Sequence, residues 1–250
     1  MQDLTLLTCN YNTSDLTIKM LSSFFIFNKL DIPIVIFDNS DKEPLSPICN
    51  KLFTVIDNRN YKITKNYNQC SKNHSATIDY ALKNVIKTKY CLLCDTDIEF
   101  KNDFNKFLEL RYDYDYVGHI VYDEFIKPDR IHPCCCIINV EKFNAEKRNF
   151  YDPNRCIIPN FKTLAVNYVK YDTGASFYED IQNSSWKIKV VPVIKNYFVH
   201  YGFGSHQEDN IASTAGDIFI APKFDYKFFN NTNFNEEKLE YINYINNRFK

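Results

Sequence analysis

The stretch CLLCDTDIEF, residues 91–100, joins a short apolar run to a pair of aspartates. The apolar part of YCLLCD (90–95) has the composition of a buried β-strand. Asp95 and Asp97 follow where that strand should end, and residues two apart on a strand project from one face. Two like charges this close raise each other's pKa unless a cation lies between them. The pair therefore predicts a site for Mg²⁺ or Mn²⁺, with solvated turn residues as the alternative.

Three earlier segments also have the composition of buried strands. They are residues 4–10, 32–40 and 52–57. One amphipathic helix is predicted after the first strand, with Thr13 or Ser14 as its N-cap, and another over about residues 75–87. The strands are apolar throughout rather than alternating, which is typical of parallel sheets covered on both faces. We therefore predict an α/β protein with a mostly parallel central sheet flanked by helices on both faces.

Polar side chains follow the carboxyl ends of three of these strands. The residues are Asn10, Tyr11 and Asn12, then Asp38 and Asn39, and finally Asp95, Thr96 and Asp97. Because ligands of such sheets bind in the crevice beyond the carboxyl ends of the strands, this edge is the predicted binding site.

The second half of the chain has a less regular pattern. Strands are predicted over residues 115–122, 134–140 and 187–194, a short helix over 173–184 with Asp172 as its N-cap, and a last helix over 235–249. No repeat or low-complexity linker divides the chain. We predict one domain over residues 1–250, with a nucleotide-sugar half at 1–100 and an acceptor half at 101–250.

Composition excludes several classes of function. Hydrophobic residues make up 45% of the 250 residues, charged residues 24%, and the formal net charge is −1, so no overall field attracts the chain to nucleic acid. The nine cysteines are interpreted as small buried hydrophobes in a reducing compartment. In particular, Cys134, Cys135 and Cys136 alternate between the faces of a strand, so all three cannot bind one metal.

Neither a signal-peptide pattern nor an apolar run of about 18–20 residues is present in the sequence. We expect a cytoplasmic protein. Contact with the inner face of the membrane stays open, because Phe24, Phe25 and Phe27 fit either the core or a membrane that carries a lipid-linked acceptor, with the core favoured.

The order of four segments resembles the nucleotide-sugar-binding half of GT-A fold glycosyltransferases, specifically the family-2-like bacterial enzymes. The segments are LTLLTCNYNTSDL, IVIFDNSD, NHSATIDYALKN and YCLLCDTDIEF. They cover roughly residues 3–100. Later segments look like the acceptor side of such enzymes, namely RIHPCCCIINVEKF, YDTGASFYEDI and FVHYGFGSH.

This resemblance implies roles for the strand-end residues in binding the nucleotide sugar. The loop from Cys9 to Asn12, with the ring of Tyr11, would hold the base. Asp38 and the neighbouring Asn39 would bind the base or ribose.

The resemblance also implies roles near the diphosphate. His74 opens the predicted second helix, and a helix N-terminus attracts anions. Asp95, with Thr96, would contact the ribose or sugar, and Asp97 would bind the metal. Asp79 stands where such families usually have asparagine, which leaves the sugar and ribose contacts open.

The remaining roles concern the metal and the general base. His200 is the expected histidine ligand to Mn²⁺ or Mg²⁺, beside Asp97 and Asp95, and His206 is the second choice. An acceptor hydroxyl needs a base in an inverting transfer. Asp180 of FYEDI is the leading candidate, and the alternatives are Glu179 and Asp172; adjacent helix positions are about 100° apart, so Glu179 and Asp180 should not both face the site.

The resulting prediction is a glycosyltransferase of the hexosyltransferase type that moves a sugar from a nucleotide-diphosphate sugar, UDP-linked, to a hydroxyl of a surface polysaccharide or glycolipid. A nucleotidyltransferase is a weaker alternative, because its glycine-rich phosphate loop is missing: the chain has five glycines and the first is Gly118. A non-catalytic module that binds nucleotide or carbohydrate is the other alternative. His132 and Arg130 could contact acceptor or phosphate.

Overall fold

The structure is a computed structural model that describes residues 3–28, 31–41, 44–45, 52–61, 70–102, 104–121, 130–155, 173–191 and 197–200. The predicted helix over 235–249, the glycine-containing segment after His200, and the candidates Asp172 and His206 lie outside the described residues.

The described chain contains short strands and helices that alternate through its first half. The strands are β1 (Leu4–Asn10), β2 (Ile34–Asp38), β3 (Phe53–Asp57), β4 (Tyr90–Cys94), β5 (Ile98–Phe100), β6 (Tyr116–Gly118), β7 (Ile120–Val121), β8 (Arg130–Ile131), β9 (Cys135–Asn139), β10 (Ile188–Val190) and β11 (Phe198–His200). The helices are α1 (Ser14–Phe27), α2 (Cys70–Tyr80), α3 (Asn105–Glu109), α4 (Val140–Ala145) and α5 (Ala175–Gln182).

The main sheet has the strand order β10-β6-β9-β4-β1-β2-β3. The pairs β1–β2, β1–β4, β2–β3 and β6–β10 are parallel, and β9 runs antiparallel to both of its neighbours. The predicted mostly parallel sheet is confirmed. From β1 the chain passes to β2 on one side, and it reaches β4 on the other side only later. Their carboxyl ends therefore border a crevice, the usual ligand site of such sheets.

Helices cover both faces of the sheet, as predicted. One buried cluster joins α1 and α3 to the sheet through residues such as Leu6, Phe24 and Phe107. The other joins α2, α4 and α5 to the opposite face, through residues such as Leu7 and Phe177. Adjacent β1 residues lie in different clusters because side chains alternate across the sheet. This arrangement explains why the strands are apolar at every position.

The three phenylalanines of α1 belong to the core, the favoured interpretation of the sequence. Phe24 is fully buried and packs edge-to-face on Phe100 at 5.3 Å, and Phe25 packs in the same way on Phe53 at 5.8 Å. Phe27 is partly buried against the same cluster. No helix in the described ranges is long and apolar enough to cross a membrane.

Several element boundaries differ from the predicted ones. Helix α2 begins at Cys70, before the predicted start at 75, and continues into a π-helical segment, Ala81–Val85. The strand predicted over 115–122 is interrupted at His119. The N-cap of α5 is Gly174 rather than Asp172, with a left-handed φ of 75°; a Cβ there would also lie 2.7 Å from the ring of Phe150, so both backbone and space favour glycine.

Two small antiparallel pairs lie outside the main sheet. In one, β11 pairs with β5 and places His200 opposite Ile98. In the other, β7 pairs with β8 and places Ile120 opposite Ile131. Both pairs bring histidines from the second half of the chain toward the end of β4.

Candidate active site

The two aspartates lie in a turn and not in a strand. Strand β4 ends at Cys94, residues 95–97 form the connection, and β5 begins at Ile98. The Asp95 amide donates to the carbonyl of Cys134 (2.8 Å), which anchors the start of the turn to the strand neighbour of β4. The sequence predicted that the two carboxylates lie together because residues two apart on a strand project from one face. That reason is wrong, because residues 95–97 are not in a strand. The turn itself brings the two carboxylates together.

Asp95, Asp97 and His200 form a compact group of potential metal ligands. One ligand atom from each residue lies within 4.8 Å of the others, and His200 Nε2 is 3.3 Å from Asp97 Oδ1. Two carboxylates with one imidazole form a donor set that suits Mn²⁺, and Mg²⁺ also takes carboxylate oxygens. These residues fit the predicted divalent cation. The structure thus brings together the three predicted ligands, which the sequence separates widely.

Opposite electrostatic effects act on His200. Burial lowers the pKa of its imidazole, but the hydrogen bond that the ring donates to Asp97 and the charges of Asp97 and Asp95 outweigh burial and raise the pKa above its ordinary value. An acidic environment that attracts a proton attracts a metal ion as well. The Asp97 side chain is only 11% exposed, so its charge is poorly screened by solvent.

His74 also lies close to the acidic pair. Its Nε2 lies 3.6 Å from Asp95 Oδ1. Because α2 begins at Cys70, His74 lies in the second helical turn and not at the helix start, so the predicted reason for an anion contact is wrong. The imidazole instead lies near a carboxylate, so Asp95 has both His74 and His200 close to it.

Asn10 forms the centre of a buried network at the end of β1. Its Nδ2 donates to Asp38 Oδ1 and to Ser40 Oγ at 3.0 and 2.9 Å. Its Oδ1 accepts from Thr13 Oγ1 and Thr17 Oγ1 at 3.0 and 2.9 Å. Both Asn10 and Asp38 are about fully buried, with exposed fractions of 0% and 1%. In this structure the two side chains bind protein groups and fix the loops after β1 and β2.

The loops that Asn10 fixes carry the other predicted nucleotide contacts. The Asn12 amide donates to Ser40 Oγ (2.9 Å), and Asn12 has a left-handed φ of 52°. Tyr11 OH donates to Asp41 Oδ2 (3.3 Å), and the Asp41 amide donates to Asn12 Oδ1 (3.0 Å). Tyr11 and Asn12 are only partly buried. These two residues are therefore more accessible to a ligand than Asn10 is.

Asn58 is a member of this edge that the sequence patterns missed. Its Nδ2 donates to Asn39 Oδ1 (2.7 Å) and to Thr77 Oγ1 (3.0 Å). The Asn58 amide also donates to the carbonyl of Asp38 (2.8 Å). It connects the ends of β2 and β3 to α2. The sequence did contain a signal for Asn58, because it is a polar residue directly after the predicted strand at 52–57, as the other residues of this edge are after theirs.

Thr96 is oriented toward the protein rather than away from it. Its Oγ1 lies 3.0 Å from Thr13 Oγ1. Because Thr13 gives its only hydroxyl proton to Asn10, Thr96 is the donor of that bond. The middle residue of Asp-Thr-Asp thus connects the acidic turn to the loop after β1.

The candidate bases Asp180 and Glu179 lie on α5 and share one partner. Arg155 donates to Asp180 Oδ1 and Oδ2 (2.9 and 2.7 Å) and to Glu179 Oε2 (3.1 Å). Asp152 accepts from the same guanidinium (2.6 Å). The wide fork of the arginine side chain reaches both adjacent acids. Whether only one of them faces the site stays a prediction. The role of either residue as a base stays a prediction.

No model of a protein family matches the sequence, and no curated protein matches it. Among solved structures, the chain is similar to S. aureus TarS 1-349, with 13% identity and a TM-score of 0.47 over 79% of this chain and 60% of that one. It is also similar to the mannosyltransferase PcManGT from Pyrobaculum calidifontis in complex with GDP-Man and Mn²⁺, with 9% identity and a TM-score of 0.49 over 77% of this chain and 55% of that one.

A third similar structure is the galactosyltransferase LgtC in complex with donor and acceptor sugar analogues, with 11% identity and a TM-score of 0.42 over 72% of this chain and 66% of that one. The chain thus spans less than two thirds of TarS 1-349 and of PcManGT.

Proposed function

We propose that this protein is a metal-dependent glycosyltransferase that uses a nucleotide-diphosphate sugar. The observation that carries the proposal is the group Asp95, Asp97 and His200, whose ligand atoms lie within 4.8 Å of one another at the carboxyl end of β4. The same edge holds the loop that ends β1, in the position where parallel sheets bind nucleotides. A metal site and a nucleotide site that share one crevice favour phosphate chemistry.

The ligand residues explain how the leaving group would be held. A divalent ion bound there supplies positive charge that stabilises the departing nucleoside diphosphate. Asp97 and His200 would hold the ion, with Asp95 as the third ligand. His74, whose Nε2 lies 3.6 Å from Asp95 Oδ1, would help to orient that carboxylate.

The loops after β1 and β2 would receive the nucleoside. Tyr11 offers a partly exposed ring for the base, and Asn12 offers amide groups. The buried network around Asn10 and Asp38 holds these loops in place before the ligand arrives, which reduces the entropy lost on binding. Asn10 and Asp38 therefore act as positioning residues in this proposal.

Asp180 is the proposed base that accepts the proton of an acceptor hydroxyl. Arg155 donates to both of its carboxylate oxygens, which orients the group. Binding of an acceptor would have to displace one of those two hydrogen bonds. The proposal further includes a UDP-linked donor and an acceptor that is a surface polysaccharide or a glycolipid. It also includes inversion at the anomeric carbon and peripheral contact with the membrane.

The test is donor hydrolysis and transfer with UDP-, GDP- and dTDP-sugars, with Mn²⁺ or Mg²⁺ supplied and then removed by a chelator. We expect turnover of at least one donor, loss of turnover with the chelator, and loss of turnover in Asp97→Asn. Asp113→Asn is the matched control, because Asp113 is exposed and outside the group. Metal-independent turnover, or equal rates for the two variants, would refute the metal-dependent mechanism.

A non-catalytic binding module is distinguished by calorimetry with UDP and Mn²⁺. Binding heat in the parent chain without turnover of any donor or acceptor would favour the module. An enzyme predicts both binding and turnover, with Asp180→Asn retaining the first and losing the second.

A further inference from the structure

A second group of potential metal ligands lies beside the acidic site. His119 follows β6, His132 follows β8, and Cys134 precedes β9. One ligand atom from each of these residues lies within 4.8 Å of the other two. The group shares no residue with Asp95, Asp97 and His200.

The β7–β8 pair holds the two imidazoles in place. The His132 amide donates to the carbonyl of His119 (2.8 Å), next to the paired residues Ile120 and Ile131. The two rings are stacked, with centroids 5.6 Å apart and an interplanar angle of 25°. Cys134 is fully buried two residues further along. The backbone pairing therefore holds His119 beside His132, and the two rings pack against each other.

One nitrogen of the two rings is buried without a partner in the described part of the chain, and another has a lone pair that can bind a metal. His119 Nδ1 is buried and has no hydrogen-bond partner. His132 Nδ1 accepts a hydrogen bond from the Cys134 amide (3.0 Å), so this nitrogen carries a lone pair and Nε2 carries the proton of the neutral ring. Buried polar atoms without partners are rare in folded proteins and need an explanation. A bound metal ion, which accepts electron pairs from such nitrogens, would supply that explanation.

We propose that His119, His132 and Cys134 form a binding site for a zinc-class cation, distinct from the carboxylate site. Two imidazoles and one thiolate are the soft and borderline donors that Zn²⁺ selects, whereas Mg²⁺ and Mn²⁺ select the oxygen donors of Asp95 and Asp97. Three protein ligands leave a fourth tetrahedral position for water or a substrate group. The two sites thus differ in the class of cation that each one prefers.

Zinc binding changes the protonation and hydrogen bonding of its ligands. The Cys134 thiol binds as thiolate, and its proton passes to solvent. Zinc at His132 Nδ1 replaces the hydrogen bond from the Cys134 amide, a small loss relative to three metal–ligand bonds.

The proposed ion would support the catalytic edge through His132. The rings of His132 and His200 lie with centroids 5.2 Å apart. An ion that fixes His132 would restrict the space in which the His200 ring can move. The second site would therefore stabilise the position of a ligand of the first site. The zinc site does not depend on whether the protein transfers sugars.

The experiment uses the full chain stripped of metal by a chelator and then exposed to zinc or cobalt. After removal of free metal, elemental analysis should find one tightly bound zinc per chain. Cobalt in its place should give a thiolate-to-cobalt charge-transfer band in the near-ultraviolet. We expect Cys134→Ser to abolish the band and to weaken zinc binding about 100-fold or more, because even outer-shell changes cost 10–100-fold.

His119→Gln is a second variant, expected to weaken zinc binding to a similar extent. Cys9→Ser is the matched control, because Cys9 is a thiol outside the group, and it should keep both the zinc and the cobalt band. Asp97→Asn should also keep them, since it changes only the carboxylate site. Circular dichroism of each metal-free variant checks that it is folded.

The proposal would be overturned by a parent chain that retains no zinc, or by a cobalt spectrum without the thiolate band. Zinc retained in Cys134→Ser but lost in Asp97→Asn would likewise overturn it and would place the ion at the carboxylates. Loss of glycosyl transfer in the parent chain has no bearing on either measurement.

Discussion

His200 Nε2 lies 3.3 Å from Asp97 Oδ1, although the two residues come from opposite halves of the chain. The antiparallel pairing of β11 with β5 creates this contact, because it places His200 opposite Ile98, the residue that follows Asp97. The contact is the central feature of the proposed metal site. It also makes the site sensitive to changes in a short peripheral strand.

The first prediction concerns His200 as a metal ligand. His200→Ala should weaken Mn²⁺ binding about 10–100-fold and leave nucleotide binding in the absence of metal unchanged, because only the ion loses a donor. Titration of Mn²⁺ followed by electron paramagnetic resonance measures the free ion directly. Val199→Ala, at the neighbouring position of β11, is the control and should titrate like the parent. Identical curves for His200→Ala and the parent would remove His200 from the site.

The second prediction concerns the buried amide of Asn10. Asn10→Ala should lower the free energy of unfolding by about 2–4 kcal/mol, because it removes the acceptor of the Thr13 and Thr17 hydroxyls and one donor to the buried Asp38. Urea denaturation measures the loss. Tyr11→Phe removes the long hydrogen bond to Asp41 (3.3 Å) at a partly exposed position and should change stability by less than about 1 kcal/mol. Equal effects of the two substitutions would contradict the central role of Asn10.

The third prediction separates the two acids of α5. Asp180→Asn should lower kcat about 100-fold or more with little change in KM for the donor, because removal of a general base slows the chemical step. Glu179→Gln, which weakens the 3.1 Å contact to Arg155, should change kcat less than tenfold. Steady-state kinetics with a working donor and acceptor measure both. The reverse order of effects would assign the base to Glu179.

The fourth prediction concerns acid stability through Asp115. Burial raises the pKa of its carboxyl, but hydrogen bonds from Lys142, the Lys187 amide and Asn139 outweigh burial and lower the pKa. Since the folded pKa is below the unfolded value of about 3.9, the stabilisation is complete above that pH and is lost as pH falls through the folded pKa.

Asp115→Asn should therefore destabilise the protein by about 1–3 kcal/mol near neutral pH and by progressively less as the solution is acidified below about pH 4. Urea unfolding at a series of pH values tests this convergence. Asp113→Asn, at an exposed position, should give a curve parallel to that of the parent. A constant difference between Asp115→Asn and the parent at all pH values would show that the charge of Asp115 is not involved.

Local patterns were sufficient to predict the layers of the fold. Strand β1 matches the predicted residues 4–10, and β2 to β4 lie within the predicted segments. Fully apolar strands have both faces covered, so the helices on both sides also followed from composition. The helix start at Cys70 was missed, because residues 70–74 (CSKNH) carry little of the periodicity that marks a helix.

The sequence predicted part of the site, but one of the reasons given for it was wrong. Asp95, Asp97 and His200 were named together and do lie together, but the aspartates converge through a turn and not through strand alternation. Arg155 was not foreseen as the partner of Asp180, because nothing in its local sequence marks an arginine that pairs with a distant helix.

The sequence by itself determined which residues are buried and which strand ends are polar, because burial and periodicity are properties of neighbouring residues. Only the tertiary structure decided which polar groups meet. The pairing of β11 with β5 brings His200 to Asp97, and the pairing of β7 with β8 sets His119 beside His132. Such contacts depend on how intervening segments close in space, and no local pattern records the distance between two residues that are far apart along the chain.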